Sequence, residues 1–398
     1  MRVCRFFFIT LIIPLGLIAF LAEPARAVLQ VPPPSGITAK NYVVMDAHSG
    51  AVVAEKMPDE RVKPASLTKI MTAYLVFREL QSGDLLLDEA VAVSEKAWRT
   101  GMRGASRMFI EVGNNVAVED LIRGMTVQSG NDACVALAER IAGTESAFVD
   151  MMNAKARSLG MNNTRFQNSH GLPSRDGQYT SARDIAALSV SLIRNFPEYY
   201  GYYSELSFTY NGITQHNRNL LLRRDESVDG VKTGWTSQAG YNLVSSAERE
   251  EMRLVTAVMG ISAATGRQGA QARADQTQAL LNWGFRQYET LALKEPGQAA
   301  AEPRIWKGGE KYLPLGVAEP FYVTVPRGSR DDLRLEISLS DSIEAPVSAG
   351  QEFGTLAAFV GEEKIATHPL VAQKSVPRGG FFRVMIDHLI RFVSSFFA

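Results

Sequence analysis

Val62-Lys63-Pro64-Ala65-Ser66-Leu67-Thr68-Lys69-Ile70-Met71-Thr72-Ala73-Tyr74-Leu75 is the stretch around which the chain is organised. Leu67, Ile70, Met71, Tyr74 and Leu75 follow the i, i+3, i+4, i+7, i+8 spacing of a helix buried on one side, and Pro64 suits its start. Three residues make nearly one turn, so Ser66 and Lys69 share a face. A serine hydroxyl is a poor nucleophile at neutral pH until a neighbour takes its proton. Lysine can do this where burial and nearby positive charge keep part of it neutral. Ser-x-x-Lys also arises by chance, so the pair alone decides nothing.

Two later stretches do decide. Gln128-Ser129-Gly130-Asn131-Asp132 and Gly230-Val231-Lys232-Thr233-Gly234-Trp235-Thr236 follow in that order. Ser-x-x-Lys, then Ser-x-Asn, then Lys-Thr-Gly is the signature of serine enzymes that process D-Ala-D-Ala peptides or β-lactams. On these motifs the chain resembles the low-molecular-mass penicillin-binding proteins of the serine D-alanyl-D-alanine carboxypeptidase family.

The resemblance implies a hydrolase that removes the terminal D-alanine from peptidoglycan pentapeptides through an acyl-enzyme, with β-lactams as covalent inhibitors. It implies Ser66 as nucleophile and Lys69 as base, the charge state of Lys69 being set partly by Lys232. Ser129 would relay a proton to the departing amine, and Asn131 would hold Lys69 or the substrate amide. Lys232 and Thr233 would bind the free carboxylate, and Gly234 would let the substrate backbone approach the strand edge. The oxyanion hole would be the N–H of Ser66 with that of Trp235 or Thr236. Arg218 and Arg273 match family arginines near the carboxylate end. His170 and Asp184 match family positions read here as structural loop residues. Trp235 stands where some relatives carry histidine or a small polar residue, which narrows the site or adds stacking area. The reading calls for no metal and no cofactor.

Composition sets the compartment. Of 398 residues, 46% are apolar and 21% charged, which suits about two globular domains. Basic and acidic residues number 42 each, so nothing points to nucleic acid. Residues 1–27 read as a secretory signal: Arg2 and Arg5, an apolar run from Phe6 to Ala22, then Ala25-Arg26-Ala27. The alternative, an uncleaved anchor, is weakened by Pro14 and Gly16 within the run. Without the leader only Cys134 remains of two cysteines, so no intramolecular disulfide is expected. Cys134 reads as a small buried hydrophobe rather than a second nucleophile.

The expected fold is α+β: a transpeptidase-like catalytic domain over 28–290, an all-β domain over 291–376 and an amphipathic helix over 377–398. A hairpin is expected over 39–56, and short strands at Val91–Val93 and Met108–Ile110. Helices are expected at 118–125, 132–141, 146–159, 181–195 and 273–281, and strands at 206–210, around Lys232, at 241–247 and at 253–259. Pro296 to Pro303 reads as a linker. Leu333, Leu335, Ile337 and Leu339 alternate with polar residues as in a half-buried strand. Phe353–Val360 and Lys364–Val371 read as a hairpin. In the last stretch, Arg383, Asp387, His388, Arg391, Ser394 and Ser395 share one polar arc of roughly 140°. Phe381, Phe382, Met385, Ile386, Leu389, Ile390, Phe392, Val393, Phe396 and Phe397 fill the rest. Such a helix lies in a membrane interface or docks on its own chain. The first reading places the protein at the periplasmic face of the inner membrane, peripherally bound.

Rival functions share the motifs. Class A β-lactamases add a glutamate in a Glu-x-x-Leu-Asn loop, and no such segment lies between Asn131 and Lys232. A D,D-endopeptidase of the same family and a non-catalytic β-lactam-binding protein stay open.

Overall fold

Alternation along β1 (Asn41–Asp46) sets the two faces of a central sheet. Val43 and Met45 enter one buried cluster, Tyr42 and Val44 another. The structure is a computed structural model that describes residues 31–394 and 396, apart from 103, 175 and 176. The expected leader over 1–27 lies outside the described residues. Strand β1 pairs with β2 (Val52–Lys56), and β3 (Val228–Thr236), β4 (Gly240–Arg249) and β5 (Met252–Ile261) complete an antiparallel sheet in the order β2-β1-β5-β4-β3. The strand carrying Lys-Thr-Gly is thus an edge.

Helices α1 (Lys69–Ser82), α2 (Val118–Thr126), α3 (Asn131–Ala142), α4 (Glu145–Ser158) and α5 (Ala182–Asn195) build the core on one side of the sheet, through Ile70, Phe77, Leu121, Val135, Phe148 and Ile185. Helix α6 (Gly266–Gln287) covers the other side with Leu280, Leu281 and Trp283. This is the α+β class expected.

Five local expectations need correction. The nucleophile helix opens as a 3-10 turn, Ala65–Thr68, and becomes α-helical only from Lys69. Met108–Ile110 is not a strand: the Asp132 carboxylate accepts the N–H groups of Met108 and Phe109, and Phe109 takes φ +70°, which breaks an extended run. The partner of Ala90–Ala92 is Asn115–Ala117. Helix α6 starts seven residues before the expected Arg273, capped by Thr265, because Gly266 and Gly269 dilute its apolar pattern without preventing the helix. The expected linker contains a strand, Ala299–Ala301, which joins a sheet.

The all-β part begins with β6 (Tyr288–Lys294), paired with β7 (Phe321–Pro326). A five-stranded sheet ends in β8 (Leu333–Leu339), and its core holds Leu315, Val323, Leu356, Val360 and Leu370. The fifth correction lies here: β8 is a strand, but Leu335, Ile337 and Leu339 are exposed rather than half-buried. The β1–β2 turn touches β7. Ser49 Oγ lies 2.6 Å from Thr324 Oγ1, and Asp46 Oδ2 accepts from Thr290 Oγ1 at 2.9 Å. Helix α7 (Phe381–Ser394) lies against this all-β part.

Candidate active site

The three motifs converge although they lie far apart in sequence. Helix α1 supplies Lys69, the start of α3 supplies Asn131, and the loop 168–172 supplies a backbone carbonyl. Lys69 Nζ donates to Asn131 Oδ1 at 2.7 Å and to the His170 carbonyl at 2.6 Å, and lies 3.2 Å from Ser66 Oγ. A neutral amine has two N–H groups and one lone pair. In that form the two acceptors would take the N–H groups and leave the lone pair for Ser66, whereas the ammonium form donates its third N–H to Ser66 Oγ. Lys69 is fully buried, and burial pushes it down to about 8, with Arg218 adding to the shift and Asp132 opposing it.

Lys232 is buried on β3 beside this group. Burial first, then the Lys69, Arg218 and Arg273 cations, push it well below the usual lysine value. Crowding of positive charge therefore bears hardest on Lys232. Ser129 holds φ +69° in the turn before α3, and its buried Oγ makes no hydrogen bond within the described chain. A hydroxyl without a partner is available to one that arrives.

These groups meet a cleft of about 1100 Å³ whose lining includes Ser66, Ser129, Asn131, Thr233, Gly234, Trp235 and Thr236. Arg218 and Arg273 line it too. Arg218 Nη1 donates to Ser106 Oγ at 2.8 Å. Arg273 is buried and its Nη1 reaches the Gly234 carbonyl at 3.4 Å. Trp235 is 54% exposed, its ring 5.8 Å from that of Tyr241. Gly234 has a reason within the fold as well. A Cβ there would sit 3.3 Å from the Pro64 carbonyl and 3.4 Å from Leu67 N, so glycine lets β3 approach the nucleophile turn.

Asp184 stays structural, accepting from Asn163 N and Thr164 Oγ1. Cys134 is buried, its Sγ–H donates to the Gly130 carbonyl, and burial pushes the thiol up to about 12, so it stays neutral.

One residue escaped the sequence reading. Glu145 is buried at the start of α4, and its Oε1 accepts from Ser169 N at 3.0 Å and Ser169 Oγ at 2.8 Å. Its Oε2 pairs with Lys96 Nζ at 2.8 Å. His170 Nε2 lies 3.5 Å from Oε1, and burial followed by Lys69 keeps the imidazole neutral. Glu145 thus pins the loop whose carbonyl receives Lys69. In sequence it is only an acid in the first turn after the Thr144 cap, which is ordinary helix chemistry. Glu145→Gln should lower kcat about 10–100-fold through misplacement of that carbonyl, with KM little changed. A shift confined to KM would refute this positioning role.

Residues 27–263 match the family described as D-alanyl-D-alanine carboxypeptidase, and residues 288–378 match the C-terminal domain of penicillin-binding protein 5. The D-alanyl-D-alanine carboxypeptidase DacA of Escherichia coli is 42% identical over 373 residues, spanning 92% of this chain and 91% of the relative. The crystal structure of penicillin-binding protein 5 from Haemophilus influenzae superposes with a TM-score of 0.82 at 40% identity, over 88% of this chain and all of that one. A Listeria monocytogenes penicillin-binding protein in its cefotaxime-bound form superposes with a TM-score of 0.58 at 29% identity, over 64% of this chain and 100% of that one. With its motifs gathered at one cleft and its likeness running through both domains, the chain belongs to the D-alanyl-D-alanine carboxypeptidase family of penicillin-binding proteins.

Proposed function

We propose that the chain is a serine D-Ala-D-Ala carboxypeptidase acting on peptidoglycan pentapeptides, and that β-lactams acylate the same serine. The observation that carries the reading is the setting of Lys69, buried 3.2 Å from Ser66 Oγ with Asn131 Oδ1 and the His170 carbonyl as its two other acceptors, so that loss of one proton turns a lone pair toward Ser66. Neutral Lys69 takes the hydroxyl proton as Ser66 Oγ attacks the penultimate D-alanine carbonyl. The oxyanion forms between the N–H groups of Ser66 and of Trp235 or Thr236. On collapse the C–N bond breaks, and the D-alanine amine receives the Lys69 proton through Ser129 Oγ. Water, deprotonated by the same base, then hydrolyses the ester and restores Ser66.

Lys232, Thr233, Arg218 and Arg273 gather on the side that would take the free carboxylate. An arriving carboxylate supplies the counter-charge that buried Lys232 lacks. Lys232→Ala should lower kcat/KM about 10–100-fold, the worth of a hydrogen bond to a charged group. Its melting temperature should stay near wild type, since Lys232 Nζ bonds only to the Thr233 carbonyl among the described residues. Unchanged kcat/KM would remove the clamp.

Mass spectrometry of pentapeptide fragments incubated with the purified chain tests the activity. Loss of one alanine is expected, whereas cleavage of a cross-link would make it an endopeptidase. A labelled penicillin should attach to the Ser66 peptide, and uptake by Ser66→Ala would overturn the assignment.

Export and peripheral attachment at the periplasmic face of the inner membrane complete the proposal. Support comes from the leader-like composition of residues 1–27 and from the apolar face of α7. Among the described residues, no helix is long and apolar enough to cross a membrane.

A further inference from the structure

Helix α7 turns its polar side inward. Asp387 is 1% exposed, its Oδ1 accepting from Arg304 Nη2 at 2.7 Å and its Oδ2 from the Lys307 backbone N–H at 2.6 Å. Arg391 pairs with Glu344, which also accepts from Lys307 Nζ at 2.6 Å. The Arg304 and Arg391 guanidinium groups lie 4.1 and 5.6 Å from the Trp306 ring centre. The outward side is apolar. Phe381, Phe382, Leu389, Phe392 and Phe396 are between 62% and 77% exposed.

A helix on a globular domain ordinarily does the reverse, burying its apolar stripe and leaving its polar one to water. A buried carboxylate is costly unless its partners are in place. The geometry of Asp387 therefore specifies which side of α7 meets the domain. Among the described residues the outer side carries large apolar groups, no acidic side chain, and the exposed imidazole of His388, with exposed Arg378 just before the helix. That pattern complements an anionic lipid surface.

We propose that Asp387, Arg304 and the Lys307 N–H form a latch that fixes the attitude of the whole protein on such a surface. The inference rests on the membrane-binding reading above. Without a latch, α7 would be a tether, and the body would sample many heights and tilts. With it, α7 and the all-β part move together. The contacts of Ser49 with Thr324 and Asp46 with Thr290 carry that attitude to the catalytic domain. The cleft is then held at one height and one direction above the bilayer.

The test uses the chain without the leader, residues 28–398, on protein-free vesicles of phosphatidylethanolamine and phosphatidylglycerol, with a fluorescent penicillin on Ser66 and acceptor dyes among the lipid headgroups. Wild type should pellet with the vesicles and give a narrow distribution of donor–surface distances. Asp387→Asn and Arg304→Met should pellet equally well but give a broader distribution reaching closer to the surface. Both should take up the penicillin normally in detergent, since neither residue lies near the cleft. Variant distributions as narrow as wild type would overturn the latch while the anchor stands. Wild type that stays in the supernatant would overturn the anchor and the latch together. Failure of the penicillin to attach would instead strike the proposed activity, and distances would then be read from a dye on the chain's N-terminus.

Discussion

Replacing Lys69 by methionine is expected to slow acylation of Ser66 about 10²–10⁴-fold, the range for loss of a positioned general base. Methionine keeps the unbranched shape of the side chain to within one atom of its length, and its fit in the core, but has no lone pair on nitrogen to receive the hydroxyl proton. It leaves Asn131 Oδ1 and the His170 carbonyl without their donor, at about 1–3 kcal/mol for each buried acceptor. It also removes a buried cation, which offsets part of that cost. The variant should therefore fold. Its pH behaviour distinguishes a base from a mere prop. In wild type the neutral amine is the active form, so the acylation rate should climb as pH rises through about 8, the value to which burial brings Lys69. In the variant that limb should vanish. A variant that keeps both the rate and the limb would show that another group takes the proton.

Among the described glycines, Gly171→Ala is expected to be the most damaging addition of a single methyl group. Gly171 has φ +91°, and a Cβ there would lie 1.8 Å from the Ala65 carbonyl oxygen and 2.4 Å from its carbon. Those atoms are backbone, held in the turn that presents Ser66, so no side chain can swing aside. The loop 168–172 would have to withdraw, taking the His170 carbonyl away from Lys69. A loss above about 4 kcal/mol is expected, together with loss of penicillin labelling. Gly160→Ala is the control, because Gly160 also has positive φ (+70°) but a Cβ there would meet nothing within 4 Å. It should cost only the left-handed backbone penalty, about 1–2 kcal/mol. Equal melting temperatures for the two variants would mean that the loop tolerates the displacement.

The motifs were legible because their chemistry resides in side-chain types at fixed spacing. Ser66, Lys69, Ser129, Asn131 and Lys232 could be named before any fold was known, and the structure brings them to one place. The third partner of Lys69 could not, because the His170 carbonyl is backbone and carries no residue-type signal. Glu145 hid as an unremarkable first-turn acid. Alternation correctly made 333–339 a strand, yet periodicity says which residues share a face and not whether anything covers that face. The same limit applied to α7. Its two faces were plain in the sequence, but only the burial of Asp387 shows that the polar one meets the domain.

The cleft also has a character that no single residue expresses. Among the described residues lining it are Arg107, Arg218 and Arg273, and not one aspartate or glutamate. Such a mouth draws in a peptide ending in a carboxylate before contact, over a Debye length of about 8 Å at physiological ionic strength. Encounter, and with it kcat/KM, should weaken as salt is added, while turnover at saturation holds steady; a salt-independent kcat/KM would show that this field does not guide capture. Anionic polymers sharing the compartment would compete for the same field. How quickly the protein finds its peptide would then depend on the ionic composition around it as well as on the substrate present.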